Sequence, residues 1–291
     1  MIAFISAFLT AIFESVTDLF SKKGLKAIDE YIASFSFKFF ALPFLLPLVF
    51  IYGIPHLGIN YLIALIIGGL LNVVTITLYM RAIKISDLSI TVPLVAFTPL
   101  FLLVTSPLML GEFPAPLGVV GIMLIVLGSY LLNIRSVSKG ILGPFKALLK
   151  EKGAKLMLIV AFLFSITSNI DKIGVQNSSP IFWAFSVNLF VMLALIPLIF
   201  HKSEHDFSSI KTDFKTLFPI GFFSALAIIF QMLAISMTLV AYVISIKRSS
   251  VIFGVLWGYF IFNEKGIKER LTGALVMVTG VALITLSQVI R

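Results

Sequence analysis

Cysteine is absent from this 291-residue chain, and charge is scarce: Asp, Glu, Lys and Arg together make up 12% of it, against about 25% in an ordinary soluble domain. Without cysteine there is no disulfide, thiolate metal site or thiol nucleophile. The three histidines, His56, His201 and His205, lie between apolar blocks, and His201-Lys-Ser-Glu-His205 lacks the zincin order. No metal or other cofactor is therefore expected, and no acid, base and nucleophile set points to an enzyme. A phosphate loop ending in Lys-Ser/Thr is also missing, which argues against an ATP-driven mechanism.

What the chain has in abundance is apolar sequence: 59% hydrophobic residues, 29 Phe and a mean hydropathy of +1.12. These residues fall in blocks of the length a helix needs to cross a bilayer, about 20 residues. The pattern predicts an all-α membrane protein with ten spans: 2–24, 31–53, 60–82, 87–110, 114–134, 155–175, 179–200, 217–238, 240–262 and 268–290. The first block has no basic leader and is interrupted by Glu14 and Asp18, so it reads as a span rather than a cleaved signal.

The net charge of +9 could suggest a nucleic-acid partner in a soluble protein, but sorting the cations by loop removes that reading. Seventeen Lys and Arg fall after odd-numbered spans, against two, Lys172 and Arg291, on the opposite side. Because basic loops are retained in the cytoplasm, both termini are expected outside, most simply in a plasma membrane. Within the linker, residues 145–149 read as an interfacial helix on anionic headgroups.

The chain also matches itself at an offset of 150, shifting to 152 after the third span. Lys22 meets Lys172, Phe35-Ser36 meets Phe185-Ser186, Glu112 meets Glu264, and Gly121 and Gly128 meet Gly273 and Gly280. Five spans per copy is an odd number, so the second copy enters the membrane inverted. The loops after the matched glutamates agree, since Phe113 to Gly118 carries no cation and Lys265 to Arg270 carries three. Inverted repeats mark secondary transporters with a site near the midplane. The expected units are a first repeat over 1–134, a cytoplasmic linker over 135–154 and a second repeat over 155–291. The glycine pairs, seven apart, make the fifth and tenth spans mutual contacts or a homodimer face.

On the residues Pro107-Leu-Met-Leu-Gly-Glu112 followed by Gly118 and Gly121, their counterpart Gly258 to Glu264 followed by Gly273, and the ten-span length, the sequence resembles the EamA-type members of the drug/metabolite transporter superfamily. The resemblance implies alternating access by two five-helix halves with both termini outside. Its motifs are specific for the superfamily and not for a substrate.

An ionisable side chain inside a span costs about 2.5–3.5 kcal/mol on insertion scales, so each one there is a candidate for function. Five qualify: Glu14, Asp18, Lys38, Lys247 and Arg248. Glu14, Asp18 and Lys22 form one helical stripe, on which Asp18 can pair with Lys22. Glu14 lies deeper, as a proton carrier, cation contact or gating group, with a purely structural pairing to Lys38 as the alternative. Lys247-Arg248 is read as a substrate-binding pair, because a guanidinium beside an ammonium suits a carboxylate or phosphate. The dipeptide is similar to one in the ninth helix of nucleotide-sugar and triose-phosphate translocators, where it implies phosphate binding. A salt-bridge network with Glu14 or Asp18 is the competing reading.

Lys38, Asn72, Tyr79, Gln231, Tyr242 and Ser245 are the expected companions of that pair in the cavity, while Asn169 and Asn188 read as interhelical contacts. Pro93, Pro99 and Pro107 are expected to kink the fourth span, while the ninth has Ser245 and Val251 opposite the first two, which sets a bendable helix beside the charge-bearing one. The function expected is secondary transport of a small anionic or zwitterionic metabolite, with proton coupling through Glu14. The rivals are an exporter of cationic or lipophilic compounds and an anion channel or lipid-translocating subunit.

Overall fold

A computed structural model of the chain describes residues 1–24, 30–85, 94–134, 151–202, 214–262 and 267–289. All the regular structure among them is helical: α1 (Ile2–Gly24), α2 (Glu30–Tyr52), α3 (Tyr61–Ile85), α4 (Thr98–Leu110), α5 (Pro116–Ile134), α6 (Lys152–Gln176), α7 (Pro180–Lys202), α8 (Phe214–Met237), α9 (Val240–Lys247), α10 (Ser250–Phe262) and α11 (Ile267–Val289). Six are long and apolar enough to cross a membrane, namely α1, α2, α3, α6, α7 and α8. With α9 and α10 counted as one span, the ten expected spans are recovered. The interfacial helix over 145–149, most of the linker, His205, Glu264 and the side chain of Lys22 lie outside the described residues.

Lateral packing follows residue size. On α1, Ala3, Ala7 and Ala11 are buried at intervals of four while Ile2, Ile5 and Phe8 face outward. The small stripe lets neighbouring backbones approach where lipid gives helices no hydrophobic reason to associate. Hydroxyls inside the bundle bond back to their own helix, as Thr10 Oγ1 does to the Ser6 carbonyl at 2.9 Å and Ser36 Oγ to that of Ile32 at 2.7 Å. These hydroxyls are thereby accommodated with their donors met.

The helix pairings repeat under exchange of the two halves. α1 packs along α8 and α6 along α3; α2 meets α8 and α7 meets α3; α2 pairs with α7, and α5 with α11. Single contacts repeat as well. A methyl group at Gly221 on α8 would strike Phe40 on α2, and one at Gly69 on α3 would strike the ring of Phe190 on α7. Gly221 and Gly69 differ by 152, Phe190 and Phe40 by 150, the two offsets of the sequence repeat.

The repeat glycines close the α5–α11 crossing. A Cβ at Gly121 would lie 2.6 Å from the Gly280 carbonyl oxygen, one at Gly280 would lie 2.6 Å from that of Gly121, and Gly128 stands likewise against Gly273. Of the two readings for these glycines, the mutual contact is the one present within a single chain.

Two sequence expectations need correction. The ninth span is not a continuous helix: it breaks between α9 and α10 with no proline to force it. Residues 248–252 tighten into i→i−3 bonds, Ser249 N–H to Ile246 O at 2.9 Å and Ile252 N–H to Ser249 O at 2.9 Å, and Ser249 Oγ bonds the Ile246 carbonyl. The fourth span has a matching turn at Ala96-Phe97, the repeat counterparts of Arg248-Ser249. There Pro99 starts α4 rather than kinking it, which suits a residue with no N–H to give. Pro93 lies outside the described residues. The second correction concerns Lys172. It is no loop cation but a buried residue of α6, 7% exposed, so it cannot count toward the charge of an outer surface.

Candidate functional site

A cavity of about 230 Å³ lies between the two halves, lined by side chains from α1, α2, α3, α6, α7, α8 and the α9–α10 break. It contains six ionisable groups of balanced sign: Glu14, Asp18 and Asp171 against Lys38, Lys247 and Arg248. Asn72, Tyr79 and Gln231 add neutral polar groups, and Val95, Phe164 and Ile244 supply apolar wall.

The break in the ninth span sets the positions of the two adjacent cations. Lys247 ends α9 and donates from Nζ to Gln231 Oε1 at 2.9 Å while pairing with Glu14 Oε1 at 3.1 Å. Arg248 sits in the tightened turn and donates from Nη2 to Thr98 Oγ1 at 3.1 Å, joining the two interrupted spans. Thr98 can accept because its own hydroxyl proton goes to the Val95 carbonyl at 2.7 Å. Arg248 Nε is buried with no hydrogen-bond partner among the described residues. Its guanidinium is anchored at one corner and keeps a donor in reserve.

Glu14 is therefore engaged with Lys247 across the halves, and not with Lys38. Asp18 is open to the cavity within electrostatic reach of Glu14, Lys247 and Arg248. Asn72 lines the cavity while its Nδ2 donates to its own helix at Gly68 O, 3.0 Å away. Gln231 and Tyr79, matched in the repeat, both face the cavity.

Tyr242 and Ser245 do not line it. Tyr242 is fully buried near the α4–α5 loop, where its hydroxyl accepts from the Ala115 N–H at 3.0 Å and from Ser287 Oγ at 3.3 Å. Gly118 makes the room, since a methyl there would collide with the tyrosine hydroxyl. Ser245 Oγ donates to the Ala241 carbonyl of its own helix at 2.6 Å. Asn169 behaves as an interhelical contact, taking Ser106 Oγ at 2.7 Å and giving to Thr105 Oγ1 at 3.0 Å; Asn188 instead bonds within its helix to Ala184 O.

Two buried charged side chains adjacent on α6, Asp171 and Lys172, were not among the sequence-derived site residues. Asp171 lines the cavity, and its Oδ1 accepts from Trp183 Nε1 at 2.9 Å. Lys172 points away, giving hydrogen bonds to the Ile235 and Thr238 carbonyls at the end of α8 and pairing with Glu112 Oε1 at 3.4 Å. The other Glu112 oxygen accepts from Val240 N–H, 2.8 Å away, at the start of α9. A cation thus meets a helix C-terminus and an anion a helix N-terminus, the favourable sense for both dipoles. The cluster joins the α4–α5 loop of one half to three helices of the other. The residues α6 brings to the cavity, Phe164, Thr167, Ser168 and Asp171, are spaced i, i+3, i+4, i+7, the face that the repeat matches to Glu14 and Asp18.

No curated protein matches the chain. A solved crystal structure superposes on it with a TM-score of 0.79 over 98% of both chains at 16% sequence identity, a likeness of fold alone. The model of the EamA-like transporter family matches residues 1–134 and 151–286, taking in both halves of the repeat. With two inverted five-helix halves, a charged cavity between them and a family match over both, the chain belongs to the EamA-like transporter family of membrane transporters.

Proposed function

We propose that the protein is a secondary transporter of a small polar metabolite carrying an anionic group, either an anion or a zwitterion, and that it works by alternating access of its two halves. The observation that carries this reading is the cavity itself: three cations and three carboxylates converge on about 230 Å³ between the repeats. Charges withdrawn from water are costly unless paired or used. Lys38, Lys247 and Arg248 provide for an oxyanion. Pockets for drug-sized ligands run about 300–1,000 Å³, so the volume favours a small metabolite over a bulky lipophilic compound.

Glu14 couples the site to its contents. Paired with Lys247 at 3.1 Å, it is released when a substrate anion takes the ammonium, and a released carboxylate can accept a proton. Alternating access has a physical counterpart in the Glu112–Lys172 cluster, which ties the halves at one end of the bundle. The sequence repeats both partners as Glu264 and Lys22, which lie outside the described residues.

The reading is tested by thermal unfolding of the purified protein with amino acids, sugar phosphates, nucleotide sugars and quaternary amines, in parallel with Arg248→Ala. Stabilisation by an anion or zwitterion that disappears in the variant is the expected result. Stabilisation by amines alone, retained in the variant, contradicts it.

A further inference from the structure

The six charged groups of the cavity differ in how far the protein itself satisfies them. Lys247 has Glu14 and Gln231, and Arg248 has Thr98. Lys38 forms no hydrogen bond or ion pair among the described residues, and Asp171 uses a single oxygen, Oδ1, on Trp183. The two face the same cavity from opposite halves, α2 and α6. They lie close enough for each to feel the other's charge, yet no contact within 4 Å joins them.

Asp171 is also rigidly held. It is 8% exposed, and the indole that grips it is fully buried. The Trp183 ring lies against Gly174, one turn along α6 from Asp171, where any Cβ would collide with it. Tyr61 meets the same indole edge-on, with ring centroids 5.9 Å apart at 80°, and is pinned in turn by its hydroxyl bond to Ser186 at 2.7 Å. A carboxylate has about four acceptor sites, so a second oxygen is left over for a ligand in a fixed place. Asp18 makes no hydrogen bond among the described residues, and it is exposed, without the orienting partner that Trp183 gives Asp171. Pre-oriented groups lose less entropy on binding and discriminate better.

We propose that Asp171, oriented by Trp183, binds the ammonium group of the substrate, so that the transported molecule is an amino-acid-like zwitterion whose carboxylate meets the cavity's cations, Lys38 among them. The inference rests on the transporter reading above and narrows it. The substrate's ammonium meets Asp171 and its carboxylate meets Lys38, two opposite charges that are not in contact with each other, so the charge balance of the cavity is kept. A substrate lacking either group leaves one buried charge unanswered, which sets the specificity.

The test uses the full-length protein in liposomes and exchange of a radiolabelled mixture of the proteinogenic amino acids, with radiolabelled carboxylates and sugar phosphates run in parallel. Competitors are the matching hydroxy acids, which lack the ammonium, and the matching amines, which lack the carboxylate. The wild type is expected to exchange the mixture saturably, with both competitor classes at least about tenfold weaker than the amino acids. Asp171→Asn is expected to raise the half-saturating concentration about ten- to a hundredfold, the worth of a charge-assisted hydrogen bond, without changing competition by hydroxy acids.

Trp183→Phe, which removes the orienting donor together with part of a fully buried ring, is expected to raise the half-saturating concentration several-fold at an unchanged maximal rate. It carries the decision alone if Asp171→Asn does not fold. Unchanged saturation in these variants, or equal weakening toward amino acids and hydroxy acids, overturns the assignment and leaves Asp171 a structural counter-ion. Saturable exchange of carboxylates or phosphates but not amino acids overturns it while sparing the transporter reading. Absence of saturable exchange of any of these solutes overturns both.

Discussion

Glu14 and Lys247 form an ion pair across the two halves, with side-chain exposures of 31% and 18%. Removing one member strands the other in a low-dielectric space, whereas removing both does not. Because the pair opens onto the cavity, the loss is smaller than for a sealed pair: about 1–2 kcal/mol for Glu14→Gln or Lys247→Gln alone. The double variant is expected to lose less than the sum by about 1 kcal/mol, read from thermal unfolding in detergent as a double-mutant cycle. Strict additivity would mean that the two groups do not interact.

Most of the cavity was legible at this scale. The expense of an ionisable group in a span singled out Glu14, Asp18, Lys38, Lys247 and Arg248, and repeat matching drew attention to Tyr79 and Gln231; all of these line the cavity. Tyr242 and Ser245 misled because proximity along a helix says nothing about which face meets the cavity, and each already has a partner elsewhere. Asp171 was missed because it stands near the end of its span, where a charge reads as the edge of a loop. The signal for it was in the repeat: the cavity face of α1 maps onto Phe164 and Ser168, and Asp171 continues that face by one turn.

Among the elements, the contrast between crowded and open glycines gives a direct check on packing. Gly280 on α11 has the Gly121 carbonyl 2.6 Å from where its Cβ would stand, and backbone cannot yield cheaply, whereas Gly254 on α10 has nothing within 4 Å. Gly280→Ala is expected to destabilise the protein by about 1–3 kcal/mol. Gly254→Ala is expected to be neutral or stabilising by up to about 1 kcal/mol, through helix propensity alone. Thermal unfolding of the two variants side by side measures the difference, and equal effects would mean that the α5–α11 crossing is not as close as described. The spans themselves were readable because length and hydropathy decide them. The interruption at Arg248 was not, because no proline marks it; it shows only in the i→i−3 bonds and in the serine hydroxyl that takes up a carbonyl.

For the whole molecule, the inverted repeat and the bias of basic residues predict an orientation that is open to test, with the loop over 53–60 outside and the linker inside. The natural absence of cysteine allows this to be examined one residue at a time. A cysteine introduced by His56→Cys is expected to react with a membrane-impermeant maleimide on intact cells, and one introduced by Ser138→Cys only after permeabilisation. The reverse pattern would invert the topology. Fold and family could be read from the chain because both rest on features repeated over its whole length, whereas the pairings inside the cavity join side chains distant in sequence, such as Glu14 with Lys247.

The most direct measurement is counterflow in liposomes: protein-containing vesicles loaded with unlabelled amino acids, then given a trace of the same labelled compounds outside. Transient accumulation of label above equilibrium that saturates with concentration, and that is lost when Arg248 is replaced by Ala, is the result expected of a carrier with its site between the two halves. Label that only equilibrates, at a rate proportional to concentration and indifferent to Arg248, would contradict it and describe a channel.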